Sequence, residues 1–260
     1  MRNDDLLALA HRLADLAAKE TLPRFRTGLS VTNKDEGGFD PVTEADREAE
    51  RAIRAAIDEA CPEHGIKGEE FPEKEGAGRF RWVLDPVDGT RAFICGIPMW
   101  TTLIGLEENG EPVLGVIDQP FLKERWAGGS LPGTERPART VSECRTLADA
   151  KMMVTDMRAG EYFTAEEAEA AMRLAQHVRL TRQGLDSYGF VLVASGHMDL
   201  VVEGGLSWHD IAAVIPVIRA AGGVMTDWTG KPLRDGSGPY RIIAAASQDL
   251  AAEAAKVLAG

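Results

Sequence analysis

A mixed α and β fold, built in layers, is the class this sequence predicts, on three observations. Helix-period stretches open the chain, strand signals take over from about residue 66, and the second half alternates between the two. With 260 residues, 44% of them hydrophobic, the chain can bury one large core or two small ones. A stretch rich in Gly, Pro, Arg and Ser over 128–142 marks a subdomain boundary, which divides the chain into 1–140 and 141–260.

The elements follow in order. Leu6, Leu9, Ala10, Leu13, Leu16 and Ala17 fall on one helical face, and Pro23 ends that helix. Residues 27–42 carry Gly28, Gly37, Gly38 and Pro41 with little periodicity, and read as a flexible loop. Thr43-Glu44-Ala45-Asp46 has the pattern of a capped helix start, and the helix continues through Ile57 to its limit at Pro62. Ile66-Lys67 lead as a short strand into Gly68-Glu69-Glu70. Strands are expected at 80–84, Thr101–Leu106 and Val113–Ile117, the last two joined by an Asn109-Gly110 hairpin turn. In the second half, strands are expected at Met152–Val154, Val178–Leu180, Leu200–Glu203, near Val224 and at Arg241–Ala245. Helices are expected at 164–176, 186–196, Asp210–Ala221 and Leu250–Leu258.

Composition narrows the function. The net charge of −12 repels nucleic acid and anionic lipid, and the basic residues form no long run. No stretch approaches the roughly 20 apolar residues of a membrane span. Cys61, Cys95 and Cys144 are odd in number and match no metal motif, so reduced thiols in a cytoplasmic protein are expected. The charges spaced through residues 1–20 do not suit a signal peptide.

The chemistry concentrates in Asp85-Pro86-Val87-Asp88-Gly89-Thr90, at the end of an apolar strand. Two carboxylates and the intervening Val87 carbonyl are hard oxygen donors of the kind magnesium takes. Gly89-Thr90 can open a short helix whose free N–H groups suit a phosphate. Taken alone the hexapeptide also fits a plain strand-end turn. Glu69 and Glu70 point to opposite faces if extended, so at most one is a direct ligand, and the pair by itself also fits a solvated loop. Asp210 opens an apolar stretch either as a helix cap or as a ligand.

Together these segments resemble the inositol monophosphatase family. Gly68-Glu69-Glu70, Asp85 through Thr90, and Asp210-Ile211-Ala212-Ala213 through Ala221-Gly222-Gly223 are similar to its three motifs, and Pro41-Val42-Thr43-Glu44-Ala45-Asp46 to a weaker fourth. The resemblance implies a layered α-β-α-β-α sandwich shared with fructose bisphosphatase, and magnesium-dependent hydrolysis of a phosphate monoester. It implies two or three Mg2+ held by Glu69, Asp85, the Val87 carbonyl, Asp88 and Asp210, with Glu70 as supporting acid. Gly89 and Thr90 match the phosphate cradle. Thr90 and Asp46 match the pair that orients the attacking water, and Lys34 lies in what resembles a closing loop. A homodimer and sensitivity to lithium are implied as well. One departure stands out: His209 separates Trp208 from Asp210, where many members have Trp directly before the Asp.

Within that family the details look most like the histidinol-phosphatase branch. Arg91 follows Asp-Gly-Thr, Asp186 precedes Ser187-Tyr188 on a later helix, and Glu203 ends Asp-Leu-Val-Val-Glu. Arg91, Asp186 and Glu203, with Asp210, are the expected substrate contacts. Two carboxylates would pair with the ammonium and imidazole of histidinol phosphate. An inositol or sugar phosphatase is the alternative substrate reading, and a metal-binding protein without turnover the non-enzymatic one. A dinucleotide oxidoreductase would need a Gly-x-Gly-x-x-Gly after a first strand, which is not present in that context.

Overall fold

The structure is a computed structural model. It describes residues 3–28, 31–33, 41–131, 134, 140–236 and 238–260. Most of the expected 27–42 loop, including Lys34, lies outside the described residues. The chain groups into two compact units, Met1–Glu135 with His209–Val217, and Arg136–Trp208 with Ile218–Gly260. Asp210, expected in the C-terminal half, therefore groups with the first unit.

The first unit begins with α1 (Asn3–Thr21), followed by paired strands β1 (Val31–Asn33) and β2 (Pro41–Thr43) and helix α2 (Glu44–Ala60). The Thr43–Asp46 capping box starts α2 where the sequence placed it. A five-stranded sheet follows in the order β3-β4-β5-β6-β7. Its strands are β3 (Gly65–Gly68), β4 (Phe80–Asp88), β5 (Thr101–Glu108), β6 (Glu111–Gln119) and β7 (Glu124–Gly129). Helix α3 (Thr90–Ile94) lies between β4 and β5. One sheet face, with Ile66, Trp82, Leu84, Ile104, Leu106, Leu114 and Val116, packs under Leu6, Leu13, Ile53 and Ile57 of α1 and α2.

The second unit has a sheet in the order β11-β12-β10-β8-β9. It comprises β8 (Lys151–Val154), α4 (Ala165–Ala175), β9 (Leu180–Gln183), α5 (Tyr188–Ala194) and β10 (Leu200–Leu206). After α6 (Trp208–Ile211) and α7 (Val214–Ala220) come β11 (Val224–Asp227), β12 (Tyr240–Ala245) and α8 (Gln248–Ala259). Met152, Val154, Leu200, Val202, Ile243 and Ala245 form a core with α4 and α8. The alternate residue Met153 puts its methyl where Gly189 of α5 lacks a Cβ. Alternation along β8 thus serves one helix layer on each face.

Several expectations shift. Strand β4 does not stop at 84 but runs to Asp88. Strand β7 and the β1–β2 pair were not expected; β7 is charged at Glu124 and Arg125 and glycine-rich at its end, as suits an edge strand. The strand expected at Val178–Leu180 lies two residues later, and the helix expected over 186–196 begins only at Tyr188. The single helix expected over Asp210–Ala221 is two short ones broken at Ala212–Ala213. Among the described residues no helix is long and apolar enough to cross a membrane.

Candidate metal centre and active site

The centre of the first unit is made by a flaw in β4. Asp85 pairs with Leu103 and Asp88 with Thr101, so three steps on β4 match two on β5. One residue is extra, which is a β-bulge. In a regular strand, residues three apart point to opposite faces. The extra residue restores them to the same side. Pro86 has no N–H to contribute to a ladder, so it is tolerated at the bulge. Its carbonyl accepts from Thr102 Oγ1 at 2.8 Å, and Val87 N–H donates to Asp85 Oδ1 at 3.1 Å.

The third carboxylate arrives from far along the chain. Gly105 and Gly115 are cross-strand partners in β5 and β6. A Cβ on Gly115 would stand 1.9 Å from the Ala213 carbonyl oxygen, and one on Gly105 would stand 3.1 Å from Ala213 N. The two glycines form a notch in the sheet where the backbone break between α6 and α7 rests. That seats Asp210, the third residue of α6. Oxygen atoms of Asp85, Asp88 and Asp210 then lie within 4.8 Å of one another.

Electrostatics show what such a trio needs. Asp85 is 2% exposed. Burial, and then the charges of Glu69, Asp88, Asp210 and Asp46, push its carboxyl well above the usual carboxylate range. Carboxylates this close repel unless protons or a cation lie among them. The donor set is all oxygen, which fits a hard divalent ion and not a thiolate-seeking one. Glu69 stands outside the tight trio but close enough for its charge to act on both Asp85 and Asp46. The Glu70 side chain is 2% exposed, 3.9 Å from Arg47. His209 Nε2 is 3.3 Å from Asp210 Oδ1, so it sits beside the ligand candidate and not out on a loop.

Beside the trio, Gly89 caps α3 at a left-handed φ of 82°, a conformation glycine adopts at no steric cost. Thr90 Oγ1 lies 3.0 Å from the Val87 carbonyl and 3.3 Å from Asp46 Oδ1. The hydroxyl has one hydrogen for those two acceptors. Asp46 is 1% exposed. Its pKa is pushed up to about 6, by burial above all; hydrogen bonds from Thr43 oppose the shift and the charge of Glu69 adds to it. Phe25, Ala45, Val87, Phe93 and Trp100 form a small core of their own, with Phe93 and Trp100 ring centroids 4.9 Å apart. That core holds the Val87 turn and α3 together. Arg91 follows Thr90 on α3, partly buried.

The second unit carries the two acidic candidates. Parallel pairing runs Val201 with Met153 and Val154 with Gln183, so Glu203, Thr155 and Gly184 lie side by side at one sheet edge. Glu203 is 2% exposed, and its Oε1 accepts from Thr155 N (2.6 Å) and Oγ1 (2.9 Å). Asp186, two residues beyond Gly184, is not the cap of α5: Ser187 holds that position, and Asp186 is left-handed at φ 47°. Carboxyl ends of parallel strands are where open α/β sheets bind ligands. Thr155 was missed in the sequence because only the pairing places it beside Glu203.

Glu50 and Arg54 were also missed. On α2 the buried residues are Ala45, Asp46, Ala49, Glu50, Ile53, Ala56 and Ile57. A second carboxylate on a mainly apolar stripe, four residues after Asp46, was the available signal.

A clustered all-oxygen acid site on a mixed α and β fold is one that could hold a hard divalent cation. A model described as the inositol monophosphatase family matches residues 2–259. The chain belongs to the inositol monophosphatase family. It is 37% identical to a histidinol-phosphatase of Streptomyces coelicolor, over 94% of this chain and 92% of that one. It is 41% identical to the bifunctional phosphatase IMPL2, chloroplastic, of Arabidopsis thaliana, over 88% of this chain and 66% of the relative. An inositol monophosphatase structure from Zymomonas mobilis superposes with a TM-score of 0.87 at 40% identity, covering 100% of both chains. The fold is that family's layered α+β sandwich, and the protein is a phosphatase.

Proposed function

We propose that the protein hydrolyses a phosphate monoester with Mg2+, and that its preferred substrate is histidinol phosphate. The observation that carries the metal reading is the Asp85–Asp88–Asp210 trio, with oxygens within 4.8 Å. Glu69 and the Val87 carbonyl complete the ligand set, which holds two or three ions, and Glu70 supports it. When bound, the metal supplies positive charge against the phosphate and acidity to a nearby water.

The chain's own groups do the rest. Gly89 and Thr90 offer backbone N–H groups to phosphate oxygens. The Thr90 hydroxyl positions the attacking water and hands a proton toward Asp46. The Thr90 hydroxyl has two acceptors within reach, the Val87 carbonyl and Asp46 Oδ1, and Asp46 is the one that can take its proton. Asp46 is buried and 3.3 Å from that hydroxyl, within reach to take its proton.

On the substrate side, the reading assigns Arg91 to the phosphate and Asp186 and Glu203 to the cationic alcohol. Its support is that Glu203 and Gly184, two residues before Asp186, lie at the same carboxyl end of the parallel strands, and that relatives at 37% and 38% identity are named histidinol-phosphatase. An inositol-1-monophosphatase of Rhizobium meliloti is 36% identical over 77% of this chain, so a polyol phosphate is the second reading. A homodimer in a reducing, cytoplasmic compartment completes the proposal. The test is kcat/KM with purified protein and magnesium on histidinol phosphate and inositol phosphate. A preference for inositol phosphate ends the histidinol reading and leaves the phosphatase in place.

A further inference from the structure

We infer that Glu50 and Arg54 are positioning residues that fix the Gly68–Phe71 turn and thereby set the affinity of the metal centre. The inference rests on the reading of Glu69 as a ligand. Glu50 is fully buried on α2. One of its oxygens accepts from Arg54 Nε at 2.7 Å and the other from Glu70 N at 2.8 Å. Arg54, 15% exposed, donates a second hydrogen bond, from Nη2 to the Phe71 carbonyl at 3.0 Å. The guanidinium also stands over the Phe71 ring, 5.9 Å from its centroid. The turn is thus tied at its backbone on both sides of Glu70 by one buried ion pair.

Gly68 supplies an independent observation. A Cβ there would stand 2.0 Å from Glu50 Oε1. The carboxylate therefore occupies the space that any other residue at 68 would fill, directly before Glu69 and Glu70. No ligand contact requires a charged group at position 50. Its partners are the backbone of the acidic turn and an arginine tied to that same turn. The same helix carries Asp46 at its first turn and Arg47, 3.9 Å from Glu70. One helix face thereby fixes the acceptor for Thr90 and the loop bearing the acidic pair in a common frame.

Groups that orient metal ligands from behind typically cost about 10–100-fold in metal affinity when changed. The experiment measures Mn2+ and Mg2+ binding to the metal-free protein by calorimetry, with far-UV circular dichroism and thermal melts alongside. Wild type, E69Q, E50Q, E50A, R54Q, G68A and the double variant E50A/G68A are compared. Expected is a roughly tenfold or greater weakening in E50Q with unchanged helix content, and recovery of kcat at high magnesium. G68A should weaken binding likewise, and E50A/G68A should be no worse than E50A, because both lesions act on one shared space. If E69Q weakens binding and E50Q does not, the positioning role is wrong while Glu69 stands as a ligand. If E69Q binds metal normally, the ligand reading itself fails and the inference falls with it. Should E50Q fail to fold, R54Q decides, since it keeps the Glu50 carboxylate beside Glu70 N and removes the charged tie to Phe71; normal affinity in R54Q overturns the inference.

Discussion

Thr90 Oγ1 lies 3.3 Å from Asp46 Oδ1, although the two residues are 44 apart in the chain. Each stands at the start of a helix, Asp46 in the first turn of α2 and Thr90 as the first residue of α3. Asp46 accepts from the Thr43 backbone through its other oxygen, at 2.9 Å. One carboxylate therefore closes the cap of its own helix and faces a hydroxyl from another. The capping role and the chemical role use different oxygen atoms, so neither excludes the other.

Thr90→Val should lower kcat by on the order of 10²-fold with a small change in KM. The variant keeps the backbone N–H and removes the hydroxyl, which is a loss felt mainly in the transition state. Steady-state kinetics at saturating magnesium check it. An unchanged kcat would leave Thr90 a structural residue.

Asp88→Asn and Asp210→Asn should each cost on the order of 10²–10³ in rate, with the fold intact. Each removes charge from the trio. Chelation of the wild-type protein should abolish phosphate release outright. Activity surviving thorough chelation would sink the metal mechanism.

Asp46 also gives a pH signature in the metal-free protein. Its native pKa of about 6 lies above the ordinary 3.8. The native state therefore holds a proton that the unfolded chain gives up first. The associated stability is full below about pH 4 and is lost as pH rises through 6, by roughly 3 kcal/mol in all. Asp85, shifted in the same direction, adds to the trend. Asp46→Asn removes the effect, so its Tm relative to wild type should climb between pH 4 and 7. A flat difference would contradict the raised pKa.

Gly115→Ala should unseat Asp210. The new methyl would meet the Ala213 carbonyl at 1.9 Å, and overpacking of this kind costs roughly 1–3 kcal/mol. A lowered Tm together with weakened metal binding is expected. Full metal affinity in the variant would show that the notch does not position the aspartate.

Asp186→Asn should penalise histidinol phosphate selectively, by about 1.5 kcal/mol, because a neutral polyol makes no ion pair there. Comparing kcat/KM of the variant on both substrates tests this. Equal losses would return Asp186 to a role in the turn before α5.

The sequence was legible where the determinants are local. The capping box of α2, the hairpin at Asn109-Gly110 and the acidic hexapeptide all lie within a few residues of one another. The β4 bulge was not legible, because it is defined by β5 and exists only in the pairing of Asp85 and Asp88 with Leu103 and Thr101. The opposition of Gly105 and Gly115 is likewise a property of register. The apolar run Ile211–Ile218 suggested one helix over Asp210–Ala221. The break at Ala212–Ala213 falls four residues before Pro216, which has no N–H to give the Ala212 carbonyl and whose ring crowds it, so that local signal was present and went unread. Glu50 hid because a carboxylate in a helix is ordinarily solvated. Only its burial beside Arg54 and the Glu70 N–H reveals what it holds.

The segment His209–Val217 groups with the first unit although the chain has by then built most of the second. Two of the trio's three carboxylates are therefore synthesised well before the third, which follows only after most strands of the second unit's sheet. A nascent or prematurely terminated chain has Asp85 and Asp88 but no Asp210. On the reading of the trio as the metal site, a product that stops before residue 210 holds two of the three carboxylates and is expected to be silent.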